Sequence, residues 1–181
     1  AISVEAEGAA AQLNMKPITA AVLAGCMRPF SDAVNMVNAP YLAKERGFDI
    51  REIRHDREGD YQTLVRVSVK TDIGERSVAC TIFSNGIPRL VELFGVKVEA
   101  DLEGNMLYIV NQDAPGFIGR LGTTLGEAGI NIGTFHLGRQ EAGGVAVLLL
   151  SVDTPVPAAT LEAIHNLPGV TTFVWRLAPY S

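Results

Sequence analysis

The sequence predicts an α+β protein in two parts, a mixed domain over residues 1–103 and a compact βαββαβ unit over 104–181. Three observations carry this. Val65, Val67 and Val69 alternate with Arg66, Ser68 and Lys70, the period of a half-buried strand. After residue 104 the turn formers fall at intervals that alternate strand and helix lengths. Charge density also drops: residues 1–104 carry 12 basic and 15 acidic side chains, residues 105–181 only 3 and 5. The break lies in Asp101-Leu102-Glu103-Gly104-Asn105, a polar stretch of turn formers.

In the first part, Ile2, Val4 and Ala6 alternate with Ser3, Glu5 and Glu7 as a strand. A helix opens at Lys16-Pro17-Ile18-Thr19, where proline suits the first turn, and Pro29 stops it. Asn38-Ala39-Pro40 reads as the cap and first turn of a second helix that ends at Gly47. Phe48, Ile50 and Ile53 suggest a strand. The strand at Val65–Val69 returns through Thr71–Glu75 into Arg76–Phe83 as a hairpin, and Val96 and Val98 suggest one last short strand.

In the second part, Met106–Asn111 is a strand that Pro115-Gly116 turns into a helix over Phe117–Ala128. Gly129 ends the helix, Ile130–Arg139 is a strand, and Gly143-Gly144 turns it into Val145–Val152. Pro157 opens a helix with Leu161, Ile164 and Leu167 on one face, and Val170–Leu177 closes the sheet. The order makes a four-stranded antiparallel sheet with both helices on one face. Gly119, Gly122, Gly126 and Gly129 fall on one side of the first helix, where a missing Cβ allows close approach of a sheet or a neighbour. A segment so poor in charge is expected to bury one face against another domain or a symmetric copy of itself.

The 181 residues are enough to bury a core without staples, and 48% apolar against 19% charged composition excludes disorder. A net charge of −5 provides no field for a polyanion, so nucleic acid is not expected as a partner. No apolar run reaches membrane-helix length, so no membrane is expected either. The two cysteines, Cys26 and Cys80, suit a reducing cytoplasm, read as inert core filling and have no metal-ligand spacing. Gly119-Arg120-Leu121-Gly122 is the nearest approach to a dinucleotide fingerprint and lies inside a helix; no Gly-x-Ser-x-Gly elbow occurs. His55 reads as a solvated loop residue, His136 as a structural partner of a backbone carbonyl, and His165 as a complement to a helix dipole. No catalytic or metal constellation remains.

Asn111–Ile118 carries binding chemistry. It leaves a strand and enters a helix N-terminus, where the N–H groups of Gly116, Phe117 and Ile118 can hold a carboxylate. Asp113 can take an ammonium group, or serve only as a cap. The Asn131 amide can both donate and accept. An anion end, a cation end and a two-way amide suit a free amino acid; capping and turn chemistry is the competing reading.

Three runs, Asn111–Gly119 (NQDAPGFIG), Leu125–Ile132 (LGEAGINI) and Leu137-Gly138-Arg139 followed by Gly143-Gly144, resemble an ACT domain. The similarity is to the ACT domain that ends D-3-phosphoglycerate dehydrogenase, an NAD-dependent enzyme of serine synthesis. Val37–Gly47 (VNAPYLAKERG) resembles the intervening, or allosteric substrate-binding, domain of its long form. The resemblance implies a ferredoxin-like ACT fold and a non-catalytic regulatory segment cut from a larger enzyme. Removal of an initiator Met before Ala1 is the other reading of the start. NAD would belong to the absent catalytic domains, and no cofactor to this segment.

The resemblance further implies L-serine bound between two paired ACT domains, hence a homo-oligomer. Asp113 matches the position that grips the serine amine, Asn131 with its neighbour Ile132 a ligand-touching pair, and Gly116, Phe117 and Ile118 the backbone cradle. Asn111 departs from the His or Tyr usual there. Arg89 aligns with a basic residue of a possible second anion site, although Asp101 opposes an anion. Two other readings are the regulatory chain of an iron–sulfur L-serine dehydratase and a structural dimerisation module without a ligand.

Overall fold

The computed structural model describes residues 1–55, 59–84, 86–102, 104–171 and 175–177, the last three by backbone alone. By packing, the chain divides into Ala1–Pro88 and Arg89–Ser181.

In the first unit β1 (Ile2–Gly8) buries Ile2, Val4 and Ala6. Helices α1 (Met15–Met27) and α2 (Ala39–Glu45) then lead to β2 (Ile50–His55), which runs parallel to β1. The hairpin of β3 (Thr63–Thr71) and β4 (Gly74–Ile82) pairs with the other edge of β1, in the order β2-β1-β3-β4. A crossover between parallel neighbours needs a long connection, and the two helices supply it. Met15, Leu23 and Met27 of α1 and Ala39 and Ala43 of α2 pack with Val4 and Ala6 as the core.

Three expectations in this unit are corrected. Asn38 does not cap α2 with its side chain: its Oδ1 accepts from the Asn35 N–H at 2.8 Å and its Nδ2 donates to the Ala33 carbonyl at 2.8 Å, which orders the preceding loop. His55 is not a free loop residue; it ends β2, with Nε2 3.0 Å from Glu5 on the adjacent strand. The charged stretch around it is described only in part, since residues 56–58 lie outside the described residues. Cys26 and Cys80 are half-buried rather than sealed, and burial raises both thiol pKa values.

Apart from Pro88, a hairpin of β5 (Pro88–Leu93) and β6 (Val96–Asp101) opens the second unit, and the sequence showed only its second strand. Its tight turn places Phe94 at φ 52°, a conformation rare for a side chain of that size. The βαββαβ order follows: β7 (Asn105–Gln112), α3 (Phe117–Glu127), β8 (Ile132–Arg139), β9 (Val145–Val152), α4 (Ala158–His165) and β10 (Trp175–Leu177). The sheet order is β10-β7-β9-β8, all antiparallel. Of the expected strand Val170–Leu177, Val170 bridges Asn111 and β10 pairs with β7, while residues 172–174 lie outside the described residues.

Alternation gives this sheet two different faces. Leu107, Ile109, Leu148 and Leu150 pack against Phe117, Leu121 and Leu125 of α3 and Ile164 of α4. Met106, Tyr108, Val110, Val147 and Leu149 point the other way and are buried too. The hairpin lies on that second face. The Phe94 ring meets Tyr108 edge-on at a centroid distance of 5.5 Å. Gly138, opposite Val147, comes so close to β6 that a Cβ there would sit 2.5 Å from the Lys97 carbonyl oxygen. The low charge of the second part is therefore met within one chain, and does not itself require a symmetric copy. The stripe of Gly119, Gly122 and Gly126 faces neither sheet nor hairpin, since a Cβ at each would meet nothing within 4 Å. No described bond joins His136 to a carbonyl; it pairs in register with Leu149 on the hairpin side.

Candidate functional site

A depression of about 500 Å³ opens where β7 ends, on the helix face of the second sheet. Register explains it. Asn111 stands opposite Ala146 on β9, and Ala146 stands opposite Arg139 on β8. Cross-strand partners share a face, so Asn111 and Arg139 flank the small Ala146, two strand spacings or roughly 10 Å apart. One row nearer the core the partners are Ile109, Leu148 and Leu137, which fill that face.

The floor and walls are Asn111, Asp113, Pro115, Phe117, Leu137 and Arg139. Asn111 is 2% exposed. Its Nδ2 donates to the Gln112 carbonyl at 2.7 Å, which fixes the amide orientation, and its buried Oδ1 has no partner among the described residues. An acceptor buried without a donor costs about 1–3 kcal/mol, so such a group in a cavity wall calls for a donor.

Asp113 is half-buried at the rim. Its Oδ2 accepts from Arg139 Nη1 at 2.9 Å and from the Gly143 N–H at 3.2 Å. These contacts, Arg139 foremost, hold the Asp113 carboxyl below the usual carboxylate range, so it is charged at neutral pH. Gly143 adopts φ 76°, a conformation open to glycine, and this aims its N–H at Asp113. The β8–β9 turn is further pinned by the Asp113 N–H, which donates to the Gly144 carbonyl at 2.8 Å, and by the Gln112 side chain on the Gly143 carbonyl. Ile118 and Leu137, 52% and 43% exposed, give the mouth an apolar lip.

Of the residues expected at a site, Asn111, Asp113, Gly116, Phe117 and Ile118 line this one depression, but the Phe117 N–H expected to hold a carboxylate donates to the Ala114 carbonyl at 3.4 Å. Asn131 and Ile132 are not among its lining residues; the Asn131 Nδ2 donates instead to Asp153 Oδ2 at 2.9 Å. Arg89 stands opposite Asp101 in the β5–β6 hairpin with 2.9 Å between Nε and Oδ1, so an acid already neutralises it. Leu137, Arg139 and Gly143 line the depression without having been in the candidate set. The register of the hairpin around Gly143-Gly144 gives only Arg139 opposite Ala146; the separate pairing of β7 with β9 is what brings Asn111 into the same row.

Residues 1–94 match the family described as D-3-phosphoglycerate dehydrogenase intervening domain. The chain belongs to that family. Residues 105–169 match the ACT domain, so the depression lies at the β7–α3 turn of the ACT domain. Among similar proteins is a D-3-phosphoglycerate dehydrogenase of Bacillus subtilis, 35% identical over 94% of this chain and 33% of its own length. Another, from Methanocaldococcus jannaschii, is 36% identical over 84% of this chain and 29% of its own. A third, D-3-phosphoglycerate dehydrogenase 3, chloroplastic, of Arabidopsis thaliana, is 32% identical over 90% and 30%. The chain thus spans about a third of the length of these dehydrogenases. Among the described residues no helix is long and apolar enough to cross a membrane, and no group of His, Cys, Asp and Glu could hold a metal ion.

Proposed function

We propose that this chain is the regulatory C-terminal segment of a D-3-phosphoglycerate dehydrogenase, sensing L-serine at the ACT-domain depression. The supporting observation is the buried, unpartnered Oδ1 of Asn111, which shares the depression with a charged Asp113. Two acceptors on one side of a small cavity suit an α-ammonium group. The three dehydrogenase relatives favour this over the serine dehydratase reading.

On this reading the segment is non-catalytic. Oxidation by NAD belongs to domains outside this chain, in a cytoplasmic enzyme. Asn131 and Ile132 lie outside the depression, so they would complete the site from a second copy, with serine bridging two ACT domains. Serine then stabilises the paired assembly by its differential affinity for it, and restrains a distant active-site cleft. Arg89 lies outside the depression and receives no ligand role in it.

Calorimetric titration with L-serine at two protein concentrations tests this, with glycine, L-alanine and D-serine as controls. Saturable, stereoselective binding that tightens with dimerisation supports it. Absence of heat, together with no rise in Tm at millimolar serine, would leave a structural dimerisation module.

A further inference from the structure

We propose that Arg139 binds the carboxylate of the amino-acid effector, and thereby restricts the depression to free α-amino acids over the corresponding amides and amines. This rests on the amino-acid reading of the same site and adds to it the residue that reads the acid group.

Arg139 is the cationic side chain in the lining. Its Nη1 is committed to Asp113, and no other hydrogen bond of the guanidinium is found among the described residues. A guanidinium carries five N–H donors in a planar fork, so an edge suited to a carboxylate is left over. The Asp113 contact tethers the exposed end of this side chain at the rim. Unlike a lysine at the same place, Arg139 can hold Asp113 with one nitrogen and an anion with the others.

The geometry also separates the two ends of a zwitterion. Asn111 Oδ1 has no donor, and Asp113 Oδ1 has none described, so both can accept from an ammonium near β7. Arg139 approaches from β8, with Ala146 between the two. The ligand Cα then lies between Asn111 and Arg139, and a short side chain points toward the Ile118 and Leu137 lip. A cation alone leaves the free edge of Arg139 without an acceptor, and an anion alone leaves the Asn111 and Asp113 oxygens without a donor.

The test compares L-serine with L-serinamide, which keeps the ammonium and hydroxymethyl but lacks the carboxylate. Binding to the full chain is measured by calorimetry at pH 6.5, for the wild type, Arg139→Gln and Arg139→Lys. The wild type is expected to prefer L-serine by about tenfold or more, a ratio typical of one charge-assisted contact. Arg139→Gln should bring the ratio to within about threefold, and Arg139→Lys should keep an intermediate preference. A purely structural role would weaken both ligands equally and leave the ratio unchanged, which overturns the assignment while the amino-acid site stands. If neither ligand binds the wild type at millimolar concentration, the amino-acid reading fails and this inference with it.

Discussion

Asn111 and Asp113 do different work although they stand two residues apart. The Asn111 amide is buried with one end satisfied, whereas Asp113 sits at the rim with two donors on one oxygen. Asp113→Ala is therefore expected to weaken L-serine by about tenfold or more without unfolding the domain, because the backbone bond from its N–H to Gly144 survives. Unchanged affinity in calorimetry would remove Asp113 from the site. Its pH behaviour follows from the sign of the shift. A folded-state pKa lowered by Arg139 and Gly143 contributes stability that is present above the unfolded value near ~3.9 and lost as pH falls through the folded value. Serine affinity should thus be level with respect to Asp113 between about pH 5 and 8, and carboxyl NMR should place the titration below ~3.9. A midpoint above that would show the pairing with Arg139 to be absent in solution.

At the scale of elements, two glycines make opposite predictions. Gly138→Ala drives a Cβ to 2.5 Å from the Lys97 carbonyl oxygen and 2.8 Å from Val96 Cγ1, so β6 must move. A loss of about 1–3 kcal/mol is expected, seen as a lower urea midpoint. Gly122→Ala, in mid-helix with nothing within 4 Å, should raise the midpoint by up to about 1 kcal/mol of added stability. A loss there would mean that another chain covers the glycine stripe in solution. The β3–β4 hairpin was legible because Val65, Val67 and Val69 alternate cleanly with polar residues. The β5–β6 hairpin was not: PRLVEL over 88–93 has no clean period of two, and its turn is Phe94-Gly95 rather than Asn-Gly. The β7–α3 half of the site could be read from a strand end running into a helix N-terminus. Arg139 could not, since it reaches Asp113 across 26 residues through strand pairing alone.

The whole molecule is two cores with different vulnerabilities. Cys26 and Cys80 both lie in the first unit, and burial raises both pKa values, which disfavours the reactive thiolate. At pH 7.5 both should react with a disulfide reagent many-fold more slowly than in the urea-unfolded chain; equal rates would contradict their burial. Leu121, fully buried between α3 and the second sheet, belongs to the other core. Leu121→Ala should cost about 2–5 kcal/mol, read as loss of near-ultraviolet dichroism from the second unit at lower denaturant.

The hairpin that lies across the back of the ACT sheet also decides where this protein can be divided. A fragment starting at residue 104 keeps every strand and helix of the βαββαβ pattern, yet uncovers Met106, Tyr108, Val110, Val147 and Leu149 together. A contiguous apolar sheet face of that kind promotes self-adhesion, so the shorter piece should be recovered as aggregate. A fragment that starts at Pro88 carries its own cover. Any transplant of this ACT domain into another protein, by recombination or by hand, has to move β5 and β6 along with it.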